Sequence, residues 1–98
     1  MTTEIWDCVT RASFGEQRSV FTIVRDGARF TGTNVADIGE LPVVDGRVDG
    51  DRLIWKMPTE KPMRMTLVGK ARIEGDRLQG TVTMGAFGRA EMSGVRRR

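Results

Sequence analysis

Two runs that alternate apolar and polar residues, joined by a glycine turn, decide the fold class of this chain. They occupy residues 63–84, which read MRMTLVGKARIEGDRLQGTVTM. In the first run the odd-numbered positions from Met65 to Ile73 are apolar or glycine, and in the second the even-numbered positions from Leu78 to Met84 are. A period of two is typical of antiparallel strands with one buried and one solvated face.

Glycine and proline exclude an ordinary helix from most of the chain. The 12 glycines and 3 prolines leave two stretches longer than seven residues without either, residues 1–14 and 16–26, and both are rich in β-branched residues that favour strands. Elsewhere a helix would contain an interior glycine or proline, which costs about 1 or about 3 kcal/mol. We therefore predict an all-β protein with at most one helical turn, near residues 34–38.

A short motif recurs three times and indicates how the strands are connected. It consists of an acid, a glycine, a small or acidic residue, an arginine and a large apolar residue, and it begins at Asp26, Asp49 and Glu74. An acid followed by glycine suits the positive φ angles of tight hairpin turns. The spacing leaves room for two short strands and two turns per copy, which predicts a meander of hairpins.

We predict eight strands, at residues 4–10, 18–25, 28–33, 41–48, 52–57, 63–74, 77–84 and 89–96. When such a sheet closes on itself, its apolar face is buried and its edge strands pair with each other. We therefore expect residues 1–98 to form a single domain, a small antiparallel up-and-down β-barrel. A two-sheet β-sandwich is the alternative. The barrel is favoured because the sixth strand is long enough to turn a corner, with Gly69 at the bend.

The composition excludes several classes of protein. A chain of 98 residues has one modest core, and no apolar run approaches the roughly 20 residues of a membrane span. Its first residues lack the features of a signal peptide. With no histidine and one cysteine, Cys8, it has neither a zinc site nor an internal disulfide, which fits a reducing compartment. We therefore expect a cytoplasmic protein without a metal or a cofactor.

The basic charge does not predict a nucleic-acid partner. Sixteen Lys and Arg against thirteen Asp and Glu give a formal net charge of +3, but the chain ends in three arginines and the remainder is neutral. A nucleic-acid binder is expected to carry its excess charge on one face, beside stacking aromatic residues. The other arginines are instead spread along the sequence. We expect no nucleic-acid partner and no membrane partner.

The inner face of the predicted barrel carries the candidate ligand-binding residues. They are large and apolar: Phe21, Phe30, Trp55, Met57, Met65, Leu67 and Met84. Small residues such as Gly69 and Gly80 alternate with them. These small residues either make room for rings in a filled core or leave a void for an apolar or aromatic ligand, lined by thioethers and two indoles. The sequence leaves both interpretations open.

Two features resemble known barrels. Trp6 and Arg96 would be neighbours in a closed barrel, where a guanidinium can cover an indole. This pair resembles the end cap of lipocalins, although Glu4 stands where that family has a glycine. Residues 48–98, with Gly-Asp strand starts and the closing GAFG at 85–88, resemble small bacterial calycin-like barrels of the lipocalin or streptavidin type. The resemblance implies a small barrel but not biotin binding, because the streptavidin site uses a tyrosine and this chain has none.

Three functional hypotheses follow. The leading one is a non-catalytic barrel that binds a small apolar or aromatic molecule, as a homodimer because association adds buried area to a small core. The second is a barrel-type cyclase or isomerase in which a buried carboxylate, from Asp7 or Glu91, moves protons. The third is a structural or interaction module with a filled core. A void beside Trp55 and Met65 would favour a ligand.

Overall fold

The computed structural model describes residues 1–13, 15–37, 39–60 and 64–97, which form eight strands. The strands are β1 (Thr2–Ala12), β2 (Gly15–Asp26), β3 (Arg29–Ala36), β4 (Gly39–Asp49), β5 (Arg52–Thr59), β6 (Met65–Glu74), β7 (Arg77–Thr83) and β8 (Arg89–Arg96). A 3₁₀ turn at Gly85–Phe87 separates the last two strands. The start of the predicted sixth strand, Met63, lies outside the described residues.

The eight strands form a closed antiparallel barrel in chain order. Each strand pairs with the next, and β1 also pairs with β8, which closes the sheet. Trp6 lies opposite Phe21 on one side and opposite Arg96 on the other. The predicted up-and-down barrel is therefore confirmed, and the sandwich alternative is not the fold. A closed eight-stranded barrel is also the architecture that a calycin-like resemblance implies.

The repeated acid–glycine motif makes three turns at the same end of the barrel. Gly27, Gly50 and Gly75 have φ angles of 63°, 62° and 60°, as the motif predicts. The carbonyl of the residue that follows each glycine accepts a backbone hydrogen bond of 2.8 Å from a later strand, and the donors are Val48, Ile73 and Arg96. These three equivalent bonds tie successive hairpins to one another at this end.

The predicted alternation places the apolar side chains inside. The buried hydrophobic residues are Trp6, Cys8, Phe21, Ile23, Phe30, Val43, Leu53, Trp55, Met57, Ala71, Leu78, Val82, Ala90 and Met92. Leu41, Val48, Leu67, Ile73 and Met84 are partly buried against them. Within the described residues, no polar or charged residue is buried as a whole. One inner face, closed on itself, thus provides one core.

Two local expectations concern β3 and β6. At most one helical turn is expected near residues 34–38, and none forms at the described residues 34–37, because β3 continues through Ala36. The ladders on both sides of Gly69 run without a shift in register. The register shifts in β4, where Asp45 and Gly46 together face one residue of β5 and Asp45 has a φ of 52°.

Candidate functional site

Three aromatic rings meet in the middle of the barrel. The ring centroids of Phe21 and Trp55 are 4.9 Å apart with the planes tilted by 38°, and those of Phe30 and Trp55 are 6.3 Å apart with a tilt of 59°. These offset, tilted arrangements are ones that aromatic pairs prefer. All three side chains are almost fully buried. The three rings therefore pack against one another across the interior, and we call the cluster of Phe21, Phe30 and Trp55 the floor.

The glycines at this level make room for the rings. A Cβ atom added to Gly69 would lie 2.2 Å from Cε2 of Trp55, and one added to Gly46 would lie 2.6 Å from Cγ of Phe30. Both distances are far shorter than a van der Waals contact. Of the two interpretations of the small residues, filled packing applies at the level of this floor.

The other half of the interior is lined by half-buried residues. The connections that follow β1, β3, β5 and β7 lie at this end, opposite the three acid–glycine turns. Inward-facing residues here are only half-buried, and we call this set the mouth: Ser19, Asn34, Leu41, Met65, Leu67 and Met84. Below them Met57, opposite Leu67 on the neighbouring strand, is fully buried. The seven predicted ligand-binding residues thus divide between the floor (Phe21, Phe30, Trp55), the mouth (Met65, Leu67, Met84) and Met57 between them.

Apart from Nε of Arg25 and Nε of Arg96, three buried side-chain atoms have no hydrogen-bond partner in the described part of the chain. They are Oγ of Ser19, Oδ1 of Asn34 and Nε1 of Trp55, and each is buried as an atom. The amide nitrogen of Asn34 points across the barrel and lies 3.7 Å from the sulfur of Met57. Buried polar groups are nearly always paired. These atoms are therefore the strongest indication of a site in the interior.

Sequence reasoning missed both Ser19 and Asn34. Ser19 shares the inner face of β2 with Phe21, which lies opposite Asn34 on β3. The missed signal was the alternation Phe30, Gly32, Asn34, Ala36, which extends the inner face of β3 beyond the strand end predicted at residue 33.

The end of the barrel opposite the mouth is closed by a polar cap. The guanidinium carbon of Arg96 lies 4.8 Å from the ring centroid of Trp6, as predicted from the positions of these residues on the first and last strands. Glu4 is at the centre of the cap because it accepts a hydrogen bond of 3.1 Å from Nε1 of Trp6 and lies 2.6 Å from Nε of Arg25. Its side chain is 13% exposed. These contacts explain why a glutamate suits this position.

The two carboxylates considered for catalysis lie on the outer wall. Asp7 is exposed and accepts two hydrogen bonds from Arg97, which lower the pKa of its carboxyl group. Glu91 is also exposed and lies opposite Arg11 in the ladder, whereas Asp7 lies opposite Val95. The barrel does not bring the two carboxylates together at its interior.

Cys8 is a buried, unreactive thiol in this fold. Burial is the main cause that raises the pKa of this thiol from 9.0 to about 12, and the charge of Asp7 adds to it. Only the thiolate is an effective nucleophile. Cys8 is therefore best described as a small buried hydrophobic residue of the core.

The connection between β5 and β6 is only partly described. Pro58 and Thr59 belong to β5, while Lys61 and Pro62 lie outside the described residues. Phe87 stands in the 3₁₀ turn and is 51% exposed.

Two further observations concern metals and membranes. Among the residues described, no three metal-ligating side chains of His, Cys, Asp or Glu lie close enough to hold an ion. In the same part of the chain, no helix has the length and apolar character needed to cross a membrane.

The comparisons with known proteins leave the structure as the main guide to function. No protein-family model matches the chain, and no curated protein matches it significantly. What the chain shows plainly is a closed eight-stranded barrel with a buried aromatic cluster, an arrangement compatible with ligand binding.

Proposed function

We propose that this protein is a non-catalytic binding barrel that holds a small, mainly apolar molecule in its mouth. The ligand would rest on Trp55 and Phe21 and contact the side chains of Met57, Leu67 and Met84. Methionine suits such a wall because its flexible thioether adapts to different apolar shapes. Phe30 lies deeper and would support Trp55 without touching the ligand.

The unpaired polar atoms beside the mouth carry this proposal. A buried acceptor without a donor costs about 1–3 kcal/mol, and a ligand that supplies the donor would recover this energy. Oδ1 of Asn34 accepts only, while the hydroxyl of Ser19 donates or accepts. The best ligand therefore has an apolar body and one polar group with an N–H or O–H, directed at the strand pair β2–β3.

A fluorescent apolar amine tests the site directly. N-phenyl-1-naphthylamine has two aromatic ring systems and one N–H, and its emission rises when it leaves water. Leu67→Gln places an amide in the proposed wall, and we expect it to weaken binding of the dye by about tenfold, the equivalent of one lost apolar side-chain contact. Thr66→Gln is the matched control, because Thr66 is the exposed neighbour on the outer face of β6; it should change the affinity less than about twofold.

Native mass spectrometry of protein purified from its own host gives the second readout. A co-purifying mass that is lost in Leu67→Gln and kept in Thr66→Gln supports the proposal and identifies the ligand. If no mass co-purifies and both variants bind the dye equally, the barrel is a module with a filled core. Location in the cytoplasm and assembly as a homodimer stay predictions, which cell fractionation and the mass of the intact assembly would test.

A further inference from the structure

A row of basic residues crosses the outer wall on the side of β3 to β6. Arg29 lies opposite Arg47, Arg47 opposite Ile54, and Ile54 opposite Lys70, so these four residues stand side by side on neighbouring strands. Strands in a sheet are about 4.8 Å apart, which makes the row roughly 14 Å long. Arg52 adds a further cation two residues before Ile54. Residues that the sequence spreads over more than 40 positions are thus collected on one face.

Some arginines of the outer wall form ion pairs, whereas among the described residues the cations of this row, like Arg18, Arg77 and Arg89, form none. Arg72 pairs with Asp51 at 2.8 Å, Arg11 pairs with Glu16 at 2.9 Å, and Arg97 pairs with Asp7. Within the described residues, neither Arg47 nor Lys70 forms a salt bridge. Like charges directly opposite each other in a ladder, such as Arg29 and Arg47, are unfavourable for the sheet itself.

Two surface depressions meet at this row and share Arg47. One lies over β2 to β4 and the other over β4 to β7, with volumes of about 370 and 390 Å³. Ile54, at 41% exposure, lines the second depression between Arg47 and Lys70. The second depression is open to solvent, and in it an apolar side chain lies between two cations that form no salt bridge among the described residues.

We propose that this second depression binds a small molecule that carries two or more phosphate groups. Arg47 would hold one phosphate through paired N–H donors, because its planar guanidinium matches the phosphate oxygens. Lys70 would hold the next phosphate, and Ile54 would contact the apolar part of the molecule. Asp49, which lies opposite Arg52 in the ladder, also lines this depression. This site is separate from the mouth and does not depend on the ligand proposed there.

The wall itself favours a small ligand over a macromolecule. A peptide commonly adds a strand to an open sheet edge, and a closed barrel has none. Single-stranded nucleic acid is held by stacking of its bases on aromatic side chains, and no aromatic side chain lines the second depression. The positive charge of Arg47 and Lys70 and the size of the second depression therefore favour a small oligophosphate as the ligand.

Calorimetric titration of the full chain with inorganic tripolyphosphate tests the proposal. Arg47→Gln with Lys70→Gln should raise the dissociation constant by at least about tenfold, because both charge-assisted contacts are lost. The matched control is Arg18→Gln with Arg89→Gln, which removes the same net charge from exposed positions outside both depressions. This control should change the constant by less than about twofold. Leu67→Gln should bind tripolyphosphate like the parent, which separates this site from the mouth.

The remaining outcomes overturn the proposal. Equal weakening in both double variants would show general attraction of anions to a basic protein, as would binding that vanishes at 0.15 M salt. A single-stranded oligonucleotide or a polyglutamate peptide that binds more tightly than tripolyphosphate, with the same dependence on Arg47 and Lys70, would assign the row to a macromolecular partner.

Discussion

Gly69→Ala tests whether the ring of Trp55 fills the floor of the barrel. The backbone of Gly69 has no positive φ, so an alanine fits the strand conformation, and by itself this change would stabilise a strand by about 0.5–1 kcal/mol. The added Cβ would however lie 2.2, 2.3 and 2.7 Å from three atoms of the Trp55 indole. The ring would have to recede by about 1.2 Å to restore an ordinary contact.

The surroundings decide how costly this displacement is. The ring centroids of Phe21 and Phe30 lie 4.9 and 6.3 Å from that of Trp55, so towards these two rings the indole cannot recede without displacing another buried side chain. Overpacking of this kind costs about 1–3 kcal/mol, and after the gain from replacing glycine we expect a net loss of about 1–2 kcal/mol in the free energy of unfolding. For a domain of this size, the loss lowers the melting temperature by about 10 °C.

Urea unfolding followed by tryptophan fluorescence measures this loss, with Gly94→Ala as the control. The Cβ added at Gly94 would meet the single Sγ atom of Cys8 at 2.7 Å, which can rotate away, so the control should lose less than about 1 kcal/mol. Trp55→Phe removes the indole atoms that clash, so the double variant with Gly69→Ala should show a coupling of at least about 1 kcal/mol. A Gly69→Ala protein as stable as the parent, or strictly additive effects, would refute the packed floor.

Two further predictions concern the closed end and the buried thiol. Glu4→Gln should lower the free energy of unfolding by about 1–2 kcal/mol, because it leaves the half-buried Arg25 without its anion. Glu16→Gln removes the anion of an exposed pair and should change the free energy of unfolding by less than about 0.5 kcal/mol. Equal losses for the two variants in chemical denaturation would contradict the role of Glu4 in the cap. The thiol of Cys8 should react with a disulfide reagent only after unfolding. Because its pKa is raised from 9.0 to about 12 in the fold, stability should fall as the pH rises from about 9 to about 12, and Cys8→Ala should flatten that part of the profile. Labelling of the folded protein at the rate of a free thiol would contradict this burial.

The local pattern of the sequence was enough to determine the number and order of the strands, the acid–glycine turns and most of the inner face. Positive φ at Gly27, Gly50 and Gly75 follows from the chemistry of single residues, and strict alternation assigns Leu53, Trp55 and Met57 to one face. These features depend on neighbours in the chain, so they can be deduced without the fold. Even the contact between Trp6 and Arg96 required only that the barrel close.

The features that only the tertiary structure decided depend on the register between strands whose residues are far apart in the sequence. A small residue such as Gly69 leaves a void or accepts a ring depending on which residue lies opposite it. The ladder between β5 and β6 places Trp55 opposite Gly69, so the ring fills this space. The unpaired oxygen of Asn34 became a candidate anchor only when β3 was seen to continue past residue 33. Arg47 and Lys70 meet across Ile54 because hydrogen-bonded pairing aligned them, and the free energy that selects one register comes from packing the whole core at once.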